Sequence, residues 1–125
     1  MDEADRVAER CIKESLKFWG IDDGLSVSFR IHKTENLAAA GECDIDLKYR
    51  RVMITINPLH ITDFEKLWQV MAHEMAHVVT ADFNLFYRCV GTDESTDAVW
   101  DYARERTTTQ LERVFLRERP YKGEE

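Results

Sequence analysis

The feature that most constrains this chain is the run Phe64-Glu-Lys-Leu-Trp-Gln-Val-Met-Ala-His-Glu-Met-Ala-His-Val-Val-Thr80. Leu67, Val70, Met71, Met75 and Val78 recur through it at helical spacing, which predicts a mostly buried amphipathic helix. His73 and His77 stand four apart, so on that helix they lie one turn above each other and both imidazoles can reach a single metal ion. Glu74 leaves the helix on the neighbouring flank, where its carboxylate can hydrogen-bond a water on the metal without occupying the metal itself. That is the position of a general base. An imidazole in an apolar setting loses its hydrogen bonds to water, so histidines on a buried helix demand a partner, and one metal ion serves both.

A buried helix needs a core to be buried in. At 125 residues the chain is long enough to build one as a single domain, without disulfide staples. The net charge of −7, from 24 acidic against 17 basic residues, argues against a nucleic-acid-binding surface, whose affinity needs clustered Lys and Arg. Cys11, Cys43 and Cys89 are odd in number and contain no Cys-x-x-Cys pair, which fits neither a disulfide framework nor a cysteine-ligated zinc site. The opening Met-Asp-Glu-Ala-Asp is acidic where a signal peptide is basic and apolar, and no window is apolar enough to span a bilayer. These features lead us to expect reduced thiols and a cytoplasmic protein that does not enter the membrane.

Before the motif, Ala4, Val7, Ala8, Cys11, Ile12, Leu16 and Trp19 recur at three and four, predicting a helix from Asp2 to Trp19 that stops at Gly20. Leu25 to Ile31 alternates apolar and polar residues as a half-buried strand does, with Leu25, Val27, Phe29 and Ile31 facing the core. Ala39 to Lys48 alternates more weakly through Cys43, Ile45 and Leu47, and Val52-Met-Ile-Thr-Ile56 is a strongly β-prone run closed by Asn57-Pro58. The expected sheet is three-stranded and mostly antiparallel, a meander. Thr62 or Asp63 is placed to cap the motif helix. Residues Ala81 to Ser95, with Phe83, Leu85, Phe86, Tyr87 and Val90, are too apolar for a solvated loop and are expected to wall the cleft. A second long helix is expected from Thr96 to about Arg119, ended by Pro120, with residues 120–125 frayed.

Two histidines leave a catalytic zinc short of its usual three protein ligands. His32 and His60 lie in no pattern that aims at the motif, and carboxylates on the last helix are better placed: Asp97, Asp101, Glu105 and Glu112. Glu94 stands just before that helix, in an N-terminal capping sequence. Asp101 and Glu105 are four apart and share a side of the helix, so one can ligate while the other orients a histidine through its second ring nitrogen.

The order of a helix, a short sheet, the His-Glu-Met-Ala-His helix and a helix containing Ala-Arg-Glu-Arg-Thr-Thr-Thr-Gln-Leu-Glu-Arg-Val-Phe resembles the minimal zincins, the small gluzincin-like metallopeptidases of phages and prophages. The resemblance covers roughly residues 25 to 116. It implies an α+β zincin-like fold and one Zn²⁺ per chain on His73, His77 and a third, acidic ligand on the following helix. In that family the acid precedes small or β-branched residues and then Leu, a pattern that falls here on Glu105, followed by Thr107, Thr108 and Leu111.

The implied activity is hydrolysis of a peptide bond in a protein or peptide substrate, with Glu74 taking the proton from water and passing it to the leaving amine. An edge strand, either Ala39 to Lys48 or the opposite one, would hold the peptide by backbone hydrogen bonds. Tyr87, Tyr102 and His60 are candidate donors to the oxyanion. Two rival readings stand beside this one. In the first the metal only clamps helix to helix in a non-catalytic zinc-stabilised interaction module, which needs a fourth protein ligand. In the second an accessory protein keeps a zincin-like core without turnover, and the retained Glu74 argues against it.

Overall fold

A computed structural model describes residues 2–21, 24–32, 39–46, 48–81 and 94–123, with side chains from 97 in the last segment. Helix α1 runs Glu3–Trp19. Asp2 starts it by accepting a hydrogen bond from the Asp5 backbone N–H at 2.9 Å. Gly20 stops it in the left-handed conformation, φ 63°, where its N–H returns to the Leu16 and Lys17 carbonyls. The face carrying Val7, Ala8, Cys11 and Ile12 is buried, as the three-and-four spacing requires.

The three strands are β1, Ser26–Ile31, β2, Gly41–Asp46, and β3, Arg51–Ile56, and their order in the sheet is β1-β3-β2. Strand β3 pairs with β1 in parallel, from Ser26 opposite Arg51 to Ile31 opposite Ile56. It pairs with β2 antiparallel, from Gly41 opposite Ile56 to Asp46 opposite Arg51. The sheet is therefore mixed, and the expected mostly antiparallel meander is wrong: β1 does not neighbour β2, because β3 occupies the place between them. The physical reason lies in the two later strands. Val52, Ile54 and Ile56 make β3 a buried strand that can be flanked on both edges, whereas Glu42, Asp44 and Asp46 suit β2 to an edge that faces water.

One face of the sheet carries Val27, Phe29, Ile31, Cys43 and Ile45 onto the core, and the helices cover it. After β3, the Asn57 side chain accepts from the Leu59 N–H, and a short 3₁₀ turn, Pro58–His60, leads to helix α2, Phe64–Val79. Of the two expected caps Asp63 is the one used, its carboxylate accepting from the Lys66 N–H at 2.7 Å.

The last helix, α3, runs Glu94–Glu118, two residues longer at its start than expected. Its C-terminal half is anchored by Phe115, fully buried between Phe18 of α1, at 5.5 Å edge to face, and Trp68 of α2, at 6.3 Å stacked. The Trp68 indole N–H donates to the Arg119 carbonyl at 2.9 Å. Tyr121 lies against Trp68, with ring centroids 6.0 Å apart, and the Arg10 guanidinium stacks on both rings. The segment 120–125 expected to fray is thus held at Tyr121. Among the described residues no helix is long and apolar enough to cross a membrane. The chain is a small α+β unit of three described helices and one mixed sheet.

Candidate metal centre

Helices α2 and α3 meet in opposite directions, and their register decides which side chains face each other. Trp68 lies against Phe115 and Arg119, His73 against Glu112, and His77 against Thr108 and Glu105. Anchoring the lower end on two aromatic rings therefore places successive turns of α3, at Glu112, Thr108 and Glu105, opposite the histidine face of α2. The two imidazoles sit edge to face, ring centroids 5.0 Å apart.

Glu105 reaches both of them. Its Oε1 lies 3.0 Å from His77 Nε2 and its Oε2 lies 3.5 Å from His73 Nε2. One ligand atom from each of His73, His77 and Glu105 lies within 4.8 Å of the others, so the group can hold a metal ion. Donors at 2.0 to 2.2 Å from a tetrahedral ion stand about 3.4 Å apart, and the two Glu105 distances bracket that value.

The second ring nitrogens make the case stronger. His73 Nδ1 is 2.7 Å from Glu112 Oε1, a carboxylate oxygen, so Nδ1 carries the hydrogen and donates it. In the neutral ring the lone pair of Nε2 then faces Glu105, another acceptor, and either a second proton on the ring or a metal cation between them satisfies both. The Glu112 hydrogen bond is also the main reason His73 is held above its ordinary pKa. His77 is held differently. Its Nδ1 is 3.4 Å from the hydroxyl of Thr108, a fully buried side chain, and burial moves its pKa below the ordinary value.

Glu74, on the next flank of α2, is only 5 % exposed. Burial pushes its carboxyl up to about 7, His73 opposes that, and Glu105, Glu42 and Glu112 add repulsion. Strand β2 closes over it at Gly41. A Cβ there would stand 2.9 Å from Val70 Cγ1 and 3.1 Å from Glu74 Oε2, so the strand comes this near only because the residue has no side chain. The four groups open onto a cleft of about 1300 Å³ between β2, α2 and α3, whose walls include Glu42, Asp44, Gln69 and Arg104.

Of the residues named from sequence, His73, Glu74, His77 and Glu105 come together. Asp101 does not: its side chain is 67 % exposed and pairs with Arg104 at 3.6 Å, so the histidine-orienting role expected for it belongs to Glu112. Asp97 and Tyr102 are exposed, and His32 and His60 are not in the metal group. Tyr87, the apolar connection from 82 to 93 and the side chain of Glu94 lie outside the described residues. Cys11 and Cys43 are free thiols that burial raises to about 12, so neither is a ready thiolate ligand at neutral pH. Sequence reasoning missed the roles of Glu112 and Thr108, although Glu112 stands seven residues after Glu105 and hence two turns along the same face. Comparison with protein-family models, with curated proteins and with solved structures finds no match to this chain.

Proposed function

We propose that the protein is a zinc-dependent metallopeptidase of the minimal zincin type. The observation that carries this reading is the division of labour on one wall of the cleft. Three donors lie within 4.8 Å of one another, while Glu74, one residue along the same helix from His73, stands apart from them, buried on the wall of the same cleft.

His73, His77 and Glu105 would hold the ion, and two nitrogens with one carboxylate oxygen are a donor set that zinc favours. Bound there, Zn²⁺ supplies Lewis acidity toward a carbonyl oxygen and lowers the pKa of water. The remaining work belongs to the chain. Glu112 holds the His73 ring in the tautomer that turns Nε2 toward the donor cluster. Glu74 takes a proton from the attacking water at its carboxylate and delivers it to the amine nitrogen as the C–N bond breaks. Burial makes that carboxyl a stronger base than an exposed one, a direction that suits the first transfer. Gly41 brings the β2 backbone beside that carboxylate, where an extended peptide can lie along the strand.

The non-catalytic zinc clamp needs a fourth protein donor. Among the described residues the group offers three. The experiment is metal analysis together with one substitution. Purified protein should bind about one zinc per chain, and Glu74→Gln should keep the zinc while lowering peptide hydrolysis by about 10² to 10⁴-fold. Protein that neither carries zinc nor takes it up overturns the reading, as does a Glu74→Gln variant that hydrolyses at the parental rate.

A further inference from the structure

Strand β2 differs from the opposite edge of the sheet in a way that bears on what the cleft binds. Its residues alternate cleanly: Gly41, Cys43 and Ile45 face the helices, and Glu42, Asp44 and Asp46 are exposed on the other side. The matching row of β1 is Ser26, Ser28 and Arg30, and β1 does not line the metal cleft. All six residues of β2 do.

The three acids are not equivalent. Asp46 stands opposite Arg51 on β3 and accepts a hydrogen bond from the Tyr49 N–H at 3.3 Å, so the turn already uses it. Glu42 and Asp44 stand opposite Thr55 and Met53, which are uncharged, and neither joins an ion pair among the described residues. The basic side chains of the cleft, Lys48, Lys66 and Arg104, belong to the β2–β3 turn and to the two helices rather than to the strand. The same strand also borders the candidate centre: on its helix side Gly41 lies beside the Glu74 carboxylate, and both line the cleft.

We infer that the β2 edge takes an extended peptide with Lys or Arg at alternate positions, one opposite Glu42 and one opposite Asp44. The inference rests on the peptidase reading for the place of the bound chain and adds the class of sequence it selects. An added strand places every second side chain beside the outward row of β2, with Cβ atoms about 5 Å from those of the directly opposed residues. Residues two apart on a strand are about 6.7 Å apart, so a basic-x-basic triplet spans Glu42 and Asp44 in register. The intervening side chain turns toward Cys43 and the helices. An acidic triplet in the same register places like charges directly opposite each other, which is unfavourable. A one-residue slip sends both basic side chains to the helix side, so the pattern also fixes the register of the peptide against Glu74.

The test separates binding from hydrolysis. Two fluorescein-labelled peptides, identical except for a Lys-x-Lys or a Glu-x-Glu triplet, are titrated by anisotropy against the zinc-loaded Glu74→Gln protein at low and high salt. The basic peptide should bind about tenfold more tightly at low salt, with the gap narrowing as salt rises. Asp44→Lys, which leaves the neighbourhood of Glu74 unchanged, should remove most of the gap, and Glu42→Gln/Asp44→Asn should do so without adding charge. Equal binding of the two peptides, or a gap that survives both variants, overturns the inference. Preferential binding without hydrolysis by the parental enzyme overturns the peptidase reading and leaves the basic-peptide surface standing.

Discussion

The two histidines look equivalent in the sequence and are not equivalent in the fold. His73 is backed by a carboxylate at 2.7 Å, and its pKa rises; His77 is backed by a hydroxyl at 3.4 Å, and its pKa falls. A carboxylate behind the ring fixes the tautomer and makes the far nitrogen a better donor to a cation. A hydroxyl does neither firmly, because it rotates to accept from Nδ1–H or to donate to a bare Nδ1. One half of the site is thus electrostatically preset, and the other half adapts to what binds.

Glu105 belongs to both halves, so removing it should produce the largest effect. With only His73 and His77 left, Glu105→Ala should release most of the metal, which zinc titration measures once circular dichroism shows the variant is folded. Its side chain is half exposed, so the fold should survive. If the variant keeps tight zinc, the third donor lies elsewhere and the two halves are not joined through this residue.

The contrast should also appear without metal, as a pH dependence of stability. Glu74 and His73 have folded-state pKa values raised above the ordinary ones, so the stability they contribute is complete at low pH and is lost as pH rises. For Glu74 the window runs from the ordinary carboxylate range up to about 7, an effect on the order of 3 kcal/mol. His77 is lowered, so its contribution has the opposite sign and favours the fold as pH rises through the ordinary imidazole range. Urea denaturation of chelator-treated protein from pH 5 to 8 should therefore show falling stability, and Glu74→Gln should flatten most of the slope. A parental protein with no slope would mean that the Glu74 carboxyl is not raised in the way its burial implies.

How much of this was legible follows the same divide between local and long-range information. The helix α1, the strands and the His-Glu-x-x-His helix are periodic patterns within a dozen residues, and Asp63 and Gly20 mark ends by chemistry of their own. Strand order is set by which strand tolerates two neighbours. The apolar Val52-Met-Ile-Thr-Ile56 run and the acidic β2 carried that signal, but turn spacing alone favours a meander. For α3 the helix was readable and its register against α2 was not. That register depends on Phe115 docking between Phe18 and Trp68, a contact spanning nearly the whole chain, and it places Glu112 rather than Asp101 behind His73.

The preset half makes the next prediction. Glu112→Ala leaves His73 Nδ1 without its acceptor in a part-buried place, and metal affinity should fall by about 10 to 100-fold. Glu112→Gln should recover part of the loss, because the amide oxygen still accepts from Nδ1–H but carries no charge. Competition with a chromophoric chelator measures both. If Glu112→Ala changes affinity by less than about threefold, the carboxylate is a packing residue and the asymmetry between the histidines is only apparent.

The adaptable half makes the smallest prediction and the one that decides whether the two halves truly differ. Thr108 is fully buried, and valine matches its shape, so Thr108→Val removes the hydroxyl with little change in packing. At 3.4 Å the contact with His77 is too long to be a strong hydrogen bond, and its loss should cost no more than about 1 kcal/mol, under about fivefold in metal affinity. Nitrogen chemical shifts of the His77 ring sharpen the test. In metal-free parental protein the neutral ring should hold the Nε2–H form, since Nε2 donates to Glu105 while Thr108 donates to Nδ1, and zinc should drive the ring to the Nδ1–H form as the hydroxyl turns to accept. Valine neither donates nor accepts, so the metal-free Thr108→Val ring should keep the Nε2–H form that Glu105 accepts, and the Nδ1–H form that zinc demands is left without an acceptor. A Thr108→Val loss as large as that of Glu112→Ala, or a His77 ring held in one tautomer with and without zinc, would show that the hydroxyl presets its histidine as firmly as the carboxylate does.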